Sequence, residues 1–313
     1  MQDFALMMLV AMALEAALGW SAWLFARIGH PVTWLGRLIS TLDTALNRER
    51  DSFASRRTNG VVATVLVVLA VALPALWVQE FLHGIWGVLI GGGLAWPLVA
   101  TRSLHQHVAA VARPLADGDL QESRRAVAMI VGRDPQGLDA AGVARAALES
   151  LAENASDAVV APLFWGAVFG LPGIAAYKAI NTLDSMVGHR SARFAAFGWG
   201  SARLDDLVNL IPARLTGLLF ALTSARPKAA LACMMQDARH HRSPNAGWPE
   251  AAMAGGLGIR LSGPRRYGDR MAQEPFVNAA CPDPRPEDLF AGLTLFRRAM
   301  LACAGLLVLV AVV

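Results

Sequence analysis

The sequence predicts an all-α, polytopic integral membrane protein with about four to six membrane segments, some broken or re-entrant, joined by cytoplasmic helical regions. Three observations predict it. Hydrophobic residues fill 55% of 313 positions and charged residues only 17%, against about 25% charged in an ordinary soluble domain. Uncharged runs long enough for a bilayer recur, since a spanning helix needs roughly 20 apolar residues. Arginines collect in the connecting loops. The surplus of Lys and Arg over Asp and Glu is +4, which orientation in a membrane explains better than nucleic-acid binding.

In chain order, residues 4–26 hold one ionisable side chain, Glu15, and lack the basic start of a signal peptide, so they read as a retained span. The loop behind them carries Arg27, Arg37, Arg48, Arg50, Arg56 and Arg57, which places it in the cytoplasm. Residues 61–78, interrupted only by Pro74, form a second span, and residues 85–101, with Gly91-Gly92-Gly93, a third. Residues 102–157 read as a cytoplasmic helical segment. Asp119 caps a helix over 120–131 that stops at Gly132, and Asp139 caps one from 140 to about 156.

Residues 158–225 admit two readings. Two full spans at 158–177 and 207–225 leave Lys178, Arg190, Arg193 and Arg203 outside, against the charge rule. Two broken segments with both polar ends in the cytoplasm obey it, and Pro162, Gly166, Gly170, Pro172 and Gly173 favour this second reading. Residues 226–298 are basic and cytoplasmic, with a helix around 231–239 and a Gly-rich stretch at 255–268. In that stretch, residues 257–261 make an extended piece ended by a turn at Ser262-Gly263-Pro264. Residues 299–313, with help from 293–296, close a single membrane-embedded domain spanning 1–313. Cys233, Cys281 and Cys303 lie too far apart in sequence to suggest a disulfide framework or a zinc site.

Four constellations carry the chemistry. Glu149, Glu153 and Asp157 recur at one-turn spacing, so three carboxylates share a stripe that needs a compensating charge. Mg²⁺, which takes one or two carboxylates plus substrate phosphates, is one solution. A solvated face with Arg145 pairing Glu149 is the other. Lys178, Asn181 and Asp184 with Ser185 share a second face, a combination suited to phosphate and its metal; interfacial snorkelling is the alternative. Asp205 and Asp206 diverge on a helix, so at most one joins a given site, and Arg214 among apolar residues needs Asp206 or an anion as partner. Lastly, Pro249 in a helix first turn after Ser243-Pro244-Asn245 marks a weak anion site, while His240 and His241 read as surface residues. P-loop, GxSxG, HExxH and Rossmann patterns are absent from the sequence.

Taken together these strings resemble the CobD/CbiB family of adenosylcobinamide-phosphate synthases. The resemblance runs from His30-Pro31-Val32 through Arg113-Pro114-Leu115 and Val131-Gly132-Arg133-Asp134. It is most specific at Glu149-Ser150, Ala152-Glu153-Asn154 and Asp157, at Ala161-Pro162-Leu163-Phe164, and from Tyr177-Lys178 to Gly188. Ser201-Ala202-Arg203 with Asp205-Asp206, Pro212-Ala213-Arg214, Ser243-Pro244-Asn245 and Gly258-Ile259 complete it. Glu15 and Gly19-Trp20-Ser21 stand where the family usually has Asp and Gly-Asp-Pro.

The resemblance implies an ATP-dependent amide ligase. It would join a propionate carboxyl of adenosylcobyric acid, a corrinoid, to (R)-1-amino-2-propanol O-phosphate and give adenosylcobinamide phosphate. Its implied cofactors are ATP and Mg²⁺. Catalysis would fall to Glu153, Asp157, Lys178 and Asp184, and cofactor binding to Asn154, Asn181, Arg190, Arg203 and Arg214. Mg²⁺ would fall to Glu149, Glu153 and Asp157 together with Asp184, and the general base to Asp205 or Asp206. The implied setting is the cytoplasmic (inner) membrane of a bacterium, active site toward the cytoplasm. Membrane lipid and other late-stage cobalamin enzymes would be partners, and nucleic acid would not. A transporter or a non-catalytic scaffold for corrinoid enzymes are the competing functions.

Overall fold

Helices carry most of the chain. The computed structural model describes residues 2–132, 134–189, 191–267 and 270–313. In order the helices are α1 (Gln2–Leu18), α2 (Ala22–Ile28), α3 (Pro31–Leu46), α4 (Phe53–Gln79), α5 (Gly84–Ala95), α6 (Thr101–Ala116), α7 (Leu120–Ala128) and α8 (Ala140–Ala155). Then come α9 (Ala161–Phe169), α10 (Leu171–Val187), α11 (Trp199–Val208), α12 (Leu210–Thr223), α13 (Pro227–Asp237), α14 (Gly247–Leu257) and α15 (Pro286–Val312). A π-helical turn, Ser156–Val160, follows α8. The chain is not purely helical. β1 (Leu261–Ser262) pairs antiparallel with β4 (Phe276–Val277), and β2 (Arg265–Tyr267) with β3 (Arg270–Ala272).

Among the described residues three helices are long and apolar enough to cross a membrane: Phe53–Gln79, Gly84–Ala116 and Pro286–Val312. Two bent pairs, Gln2–Leu18 with Trp23–Leu46 and Trp199–Val208 with Leu210–Thr223, raise the number to five when each counts as one span. The sequence boundaries need several corrections. The expected first span, 4–26, is not one helix: α1 stops at Leu18 and Gly19 turns the chain at φ +59°. The α-helix in 85–101 ends at Ala95, where Pro97 lacks the N–H that would continue the ladder. Residues 158–177 break at Gly170, whose φ of +71° suits glycine. The expected helix over 120–131 ends at Ala128, and the carbonyl of Ile130 instead accepts from Ser150 Oγ at 2.8 Å. The extended piece expected from residue 257 begins later, because α14 runs to Leu257 and Gly258 caps it in the left-handed conformation.

The chain divides into two units. The first contains Met1–Ala100, Ala161–Asn209 and Leu306–Val313. Here α1 packs on α5 and α9 through glycines. A Cβ on Gly92 would stand 2.6 Å from Val10 Cβ, and one on Gly166 would stand 2.1 Å from Met8 Sδ. Helix α10 packs against α3, α4, α9 and α11. Leu35, Ile39, Ala63, Val67, Ala179, Leu183, Val187 and Phe197 make the core on its inner side.

The second unit contains Thr101–Val160 and Leu210–Gly305. Asp119 and Asp139 cap α7 and α8 by accepting from the Glu122 and Gly142 amides at 2.9 Å and 2.8 Å, as the sequence predicts. Helices α12, α13 and α14 pack together, with α14 also against α8. Asn278 Nδ2 donates to the Ala254 and Ile259 carbonyls and ties the β1–β4 ribbon to the end of α14.

Candidate functional site

The expected site residues fall into two groups, one in each unit. In the first unit Lys178, Asn181 and Asp184 are all half-buried along α10, while their neighbours Tyr177, Ala179, Ile180 and Leu183 are buried. Burial, then the negative charge of Asp206, pushes the Asp184 carboxyl above its usual range, partly countered by His189. The chain makes room for this side chain at Gly188, where a Cβ would lie 2.0 Å from Asp184 Oδ1. Arg190 lies outside the described residues.

Helix α11 brings Asp205 to the same unit. As the sequence predicts, the two neighbouring aspartates diverge. Asp205 is buried, whereas Asp206 is half-exposed and pairs with Arg203 at 3.7 Å. Asp205 Oδ2 accepts from Asn209 Nδ2 at 3.0 Å, and Asn209 Oδ1 accepts from Tyr177 Oη at 2.9 Å. Tyr177 and Asn209 received no role from the sequence. The signal was there: an Asn one turn after a buried Asp, and a Tyr beside the lysine of a polar motif.

The second unit holds the other group. Glu149 is 6% exposed and its Oε1 accepts the Ser262 amide at 2.7 Å, so this carboxylate anchors β1. Glu153 is exposed; Asn154 and Asp157 are half-buried. Asn154 Nδ2 donates back to the Ser150 carbonyl at 2.9 Å. A π-helical turn begins at Ser156, directly after α8, and contains Asp157. Such turns concentrate at functional sites. Among the described residues no group of three or more His, Cys, Asp or Glu side chains could hold a metal ion. Glu153 and Asp157 still match Mg²⁺ that arrives with substrate phosphates, which needs only one or two protein carboxylates; Glu149, with one oxygen already committed, fits less well.

Four further expectations are corrected here. Arg145 pairs with Asp283, not Glu149. Asp283 also takes Arg260 at 2.6 Å, and both arginines lie over the Phe276 ring. Arg214 is exposed, donates to the Leu210 carbonyl at 2.6 Å, and lies over the Trp248 ring at 4.4 Å. His241 is not a surface residue. Its Nε2 faces Glu250 Oε1 at 3.6 Å, and Glu250 is 1% exposed. Glu250 also occupies the first turn of α14, so the anion site expected there already contains a carboxylate of the chain itself.

A family model described as CobD/Cbib protein matches residues 8–296. The cobalamin biosynthesis protein CobD of Rhodobacter capsulatus is 62% identical over 311 residues, covering 99% of this chain and 98% of its own. The protein of the same name from a Sinorhizobium species is 44% identical over 325 residues, covering 100% and 99%. That of Brucella suis is 46% identical over 308 residues, covering 96% and 94%. No solved structure matches.

Proposed function

The chain belongs to the CobD/CbiB family of cobalamin biosynthesis, and on that premise we propose that it is an ATP-dependent amide ligase. Its acid is adenosylcobyric acid, its amine (R)-1-amino-2-propanol O-phosphate, and its product adenosylcobinamide phosphate. The observation that carries the reading is the half-buried face of α10, where Lys178, Asn181 and Asp184 set a cation, an amide and a carboxylate side by side. A passive anchor has no use for such a face at the end of an apolar run.

The chemistry balances in two steps. A carboxylate oxygen attacks the γ-phosphorus of ATP, and ADP leaves. The amine nitrogen, after losing a proton to a base, attacks the acyl carbon, the amide C–N bond forms, and phosphate leaves. Bound Mg²⁺ would neutralise charge on the transferring phosphoryl group. Glu153 and Asp157 are the carboxylates assigned to hold it, and Lys178 and Arg203 the cations assigned to phosphate. Asn181 orients substrate beside Asp184. The setting is the inner membrane, with this face toward the cytoplasm. The basic loop of Arg48, Arg50, Arg56 and Arg57 supports that orientation.

The test is amide formation by detergent-purified protein given adenosylcobyric acid, aminopropanol phosphate and Mg-ATP. Product with stoichiometric ADP is expected. A well-folded protein that makes none, yet binds other corrinoid enzymes or moves corrinoid across vesicles, sinks the ligase in favour of a scaffold or transporter.

A further inference from the structure

Asp205 is only 9% exposed, and its two oxygens have different surroundings. Oδ2 takes the Asn209 amide. Because Asn209 Oδ1 is already engaged by the Tyr177 hydroxyl, the amide N–H donors are turned toward the carboxylate. Oδ1 is buried with no hydrogen-bond partner among the described residues. A buried carboxylate oxygen without a donor is costly. The neighbours deepen the deficit, since Asp184 and Asp206 both act on Asp205 and both are negative. Asp206 has Arg203. Among the described residues no lysine or arginine pairs with Asp184 or Asp205. His189 is the positive neighbour that partly offsets Asp184, whereas the charges acting on Asp205 are both negative.

We propose that Asp184 and Asp205 form the subsite for a primary ammonium group, with Tyr177 and Asn209 as positioning residues that hold Asp205 Oδ1 for it. The assignment rests on the ligase reading, in which the amine arrives as an ammonium joined to a phosphate. The donor count fits. An ammonium has three N–H donors; Asn209 engages Asp205 Oδ2 and the Asn181 amide also acts on Asp205 as a donor, which leaves at least two of the four carboxylate oxygens for it. The spacing fits as well. Lys178 precedes Asp184 by six residues, about 9 Å along the helix and roughly 120° around it, so the long lysine side chain suits the phosphate end and the carboxylate the amine end of a short amino-alcohol phosphate.

The first experiment needs no catalysis. Calorimetric titration of the full-length protein compares aminopropanol phosphate with propanediol phosphate, which carries a hydroxyl in place of the amine. The diol phosphate is expected to bind about 10-fold or more weakly; equal binding overturns the subsite. The second experiment is kinetic. Asp205→Asn is expected to raise the KM for the amine about 10- to 100-fold without changing that for ATP, and Tyr177→Phe to raise it less. An unchanged amine KM, or a shifted Mg²⁺ requirement in its place, overturns the assignment. Discrimination by a wild-type protein that makes no amide sustains the subsite while the ligase reading falls. Amide formation without discrimination does the reverse. The wild-type comparison decides even where Asp205→Asn does not fold.

Discussion

At the scale of single residues, Asp184 and Gly188 are coupled by contact. A methyl group at Gly188 would meet Asp184 Oδ1 at 2.0 Å, so Gly188→Ala must push the carboxylate off its place on the α10 face. The expected outcome is a fall in kcat of roughly 10-fold or more, in line with misplacement by about 1 Å, with circular dichroism unchanged. Wild-type kcat in this variant would show that the position of Asp184 is immaterial. Lys178→Ala removes the cation assigned to phosphate, and the KM for Mg-ATP or for the aminopropanol phosphate should rise; steady-state kinetics in both substrates distinguishes the two. A pH effect belongs to Asp283. Hydrogen bonding from Arg260, then the charge of Arg145, holds its carboxyl below the usual range against the opposing effect of burial. A depressed native carboxyl contributes stability that is present above the unfolded value, about 3.9, and is lost as pH falls through the native one. Asp283→Asn should therefore cost stability at pH 7 and nothing once the pH is well below about 4. With the side chain 36% exposed, screening keeps the loss to about 1 kcal/mol or less. Denaturation followed at both pH values checks it.

At the scale of elements, close backbone approach sets the packing around α10. A Cβ on Gly60 of α4 would lie 1.8 Å from the Phe197 carbonyl oxygen, and one on Gly198 would lie 1.7 Å from that of Val187. Backbone cannot move aside as a flexible side chain can, so Gly60→Ala should cost about 1–3 kcal/mol or more. It should lower the melting temperature in detergent; a wild-type value would mean that α4 and this turn are not in contact in the folded protein. Asp139→Ala removes a cap whose bond to Gly142 is 2.8 Å and should cost about 1 kcal/mol by the same measurement. The polar networks also tie elements together: Tyr177 of α10 reaches Asn209 just after α11, and Trp165 Nε1 of α9 donates to the Val208 carbonyl at 3.0 Å.

At the scale of the whole molecule, orientation is the open quantity and the chain carries its own probe. Cys281 is partly exposed, whereas Cys233 and Cys303 are buried, and burial raises the Cys233 thiol to about 12. A membrane-impermeant maleimide should leave intact spheroplasts unlabelled and label Cys281 once they are opened. Labelling of intact cells would put 226–298 on the outer side and reverse the topology.

The sequence by itself determined which segments are apolar enough for a membrane. Long uncharged runs and loop arginines needed no tertiary information, because the cost of leaving an apolar run in water or a charge in lipid is a property of the segment alone. It also placed the Asp119 and Asp139 caps, which are local bonds across three residues. Tertiary structure decided which polar residues are occupied by other parts of the chain. Glu149 takes an amide 113 residues away, Asn209 a hydroxyl 32 residues away, and Arg145 a carboxylate 138 residues away. It also decided where helices stop short of their apolar runs, at Gly19, Pro97 and Gly170. Those outcomes depend on which groups meet across the fold, and periodicity along one segment carries no record of them.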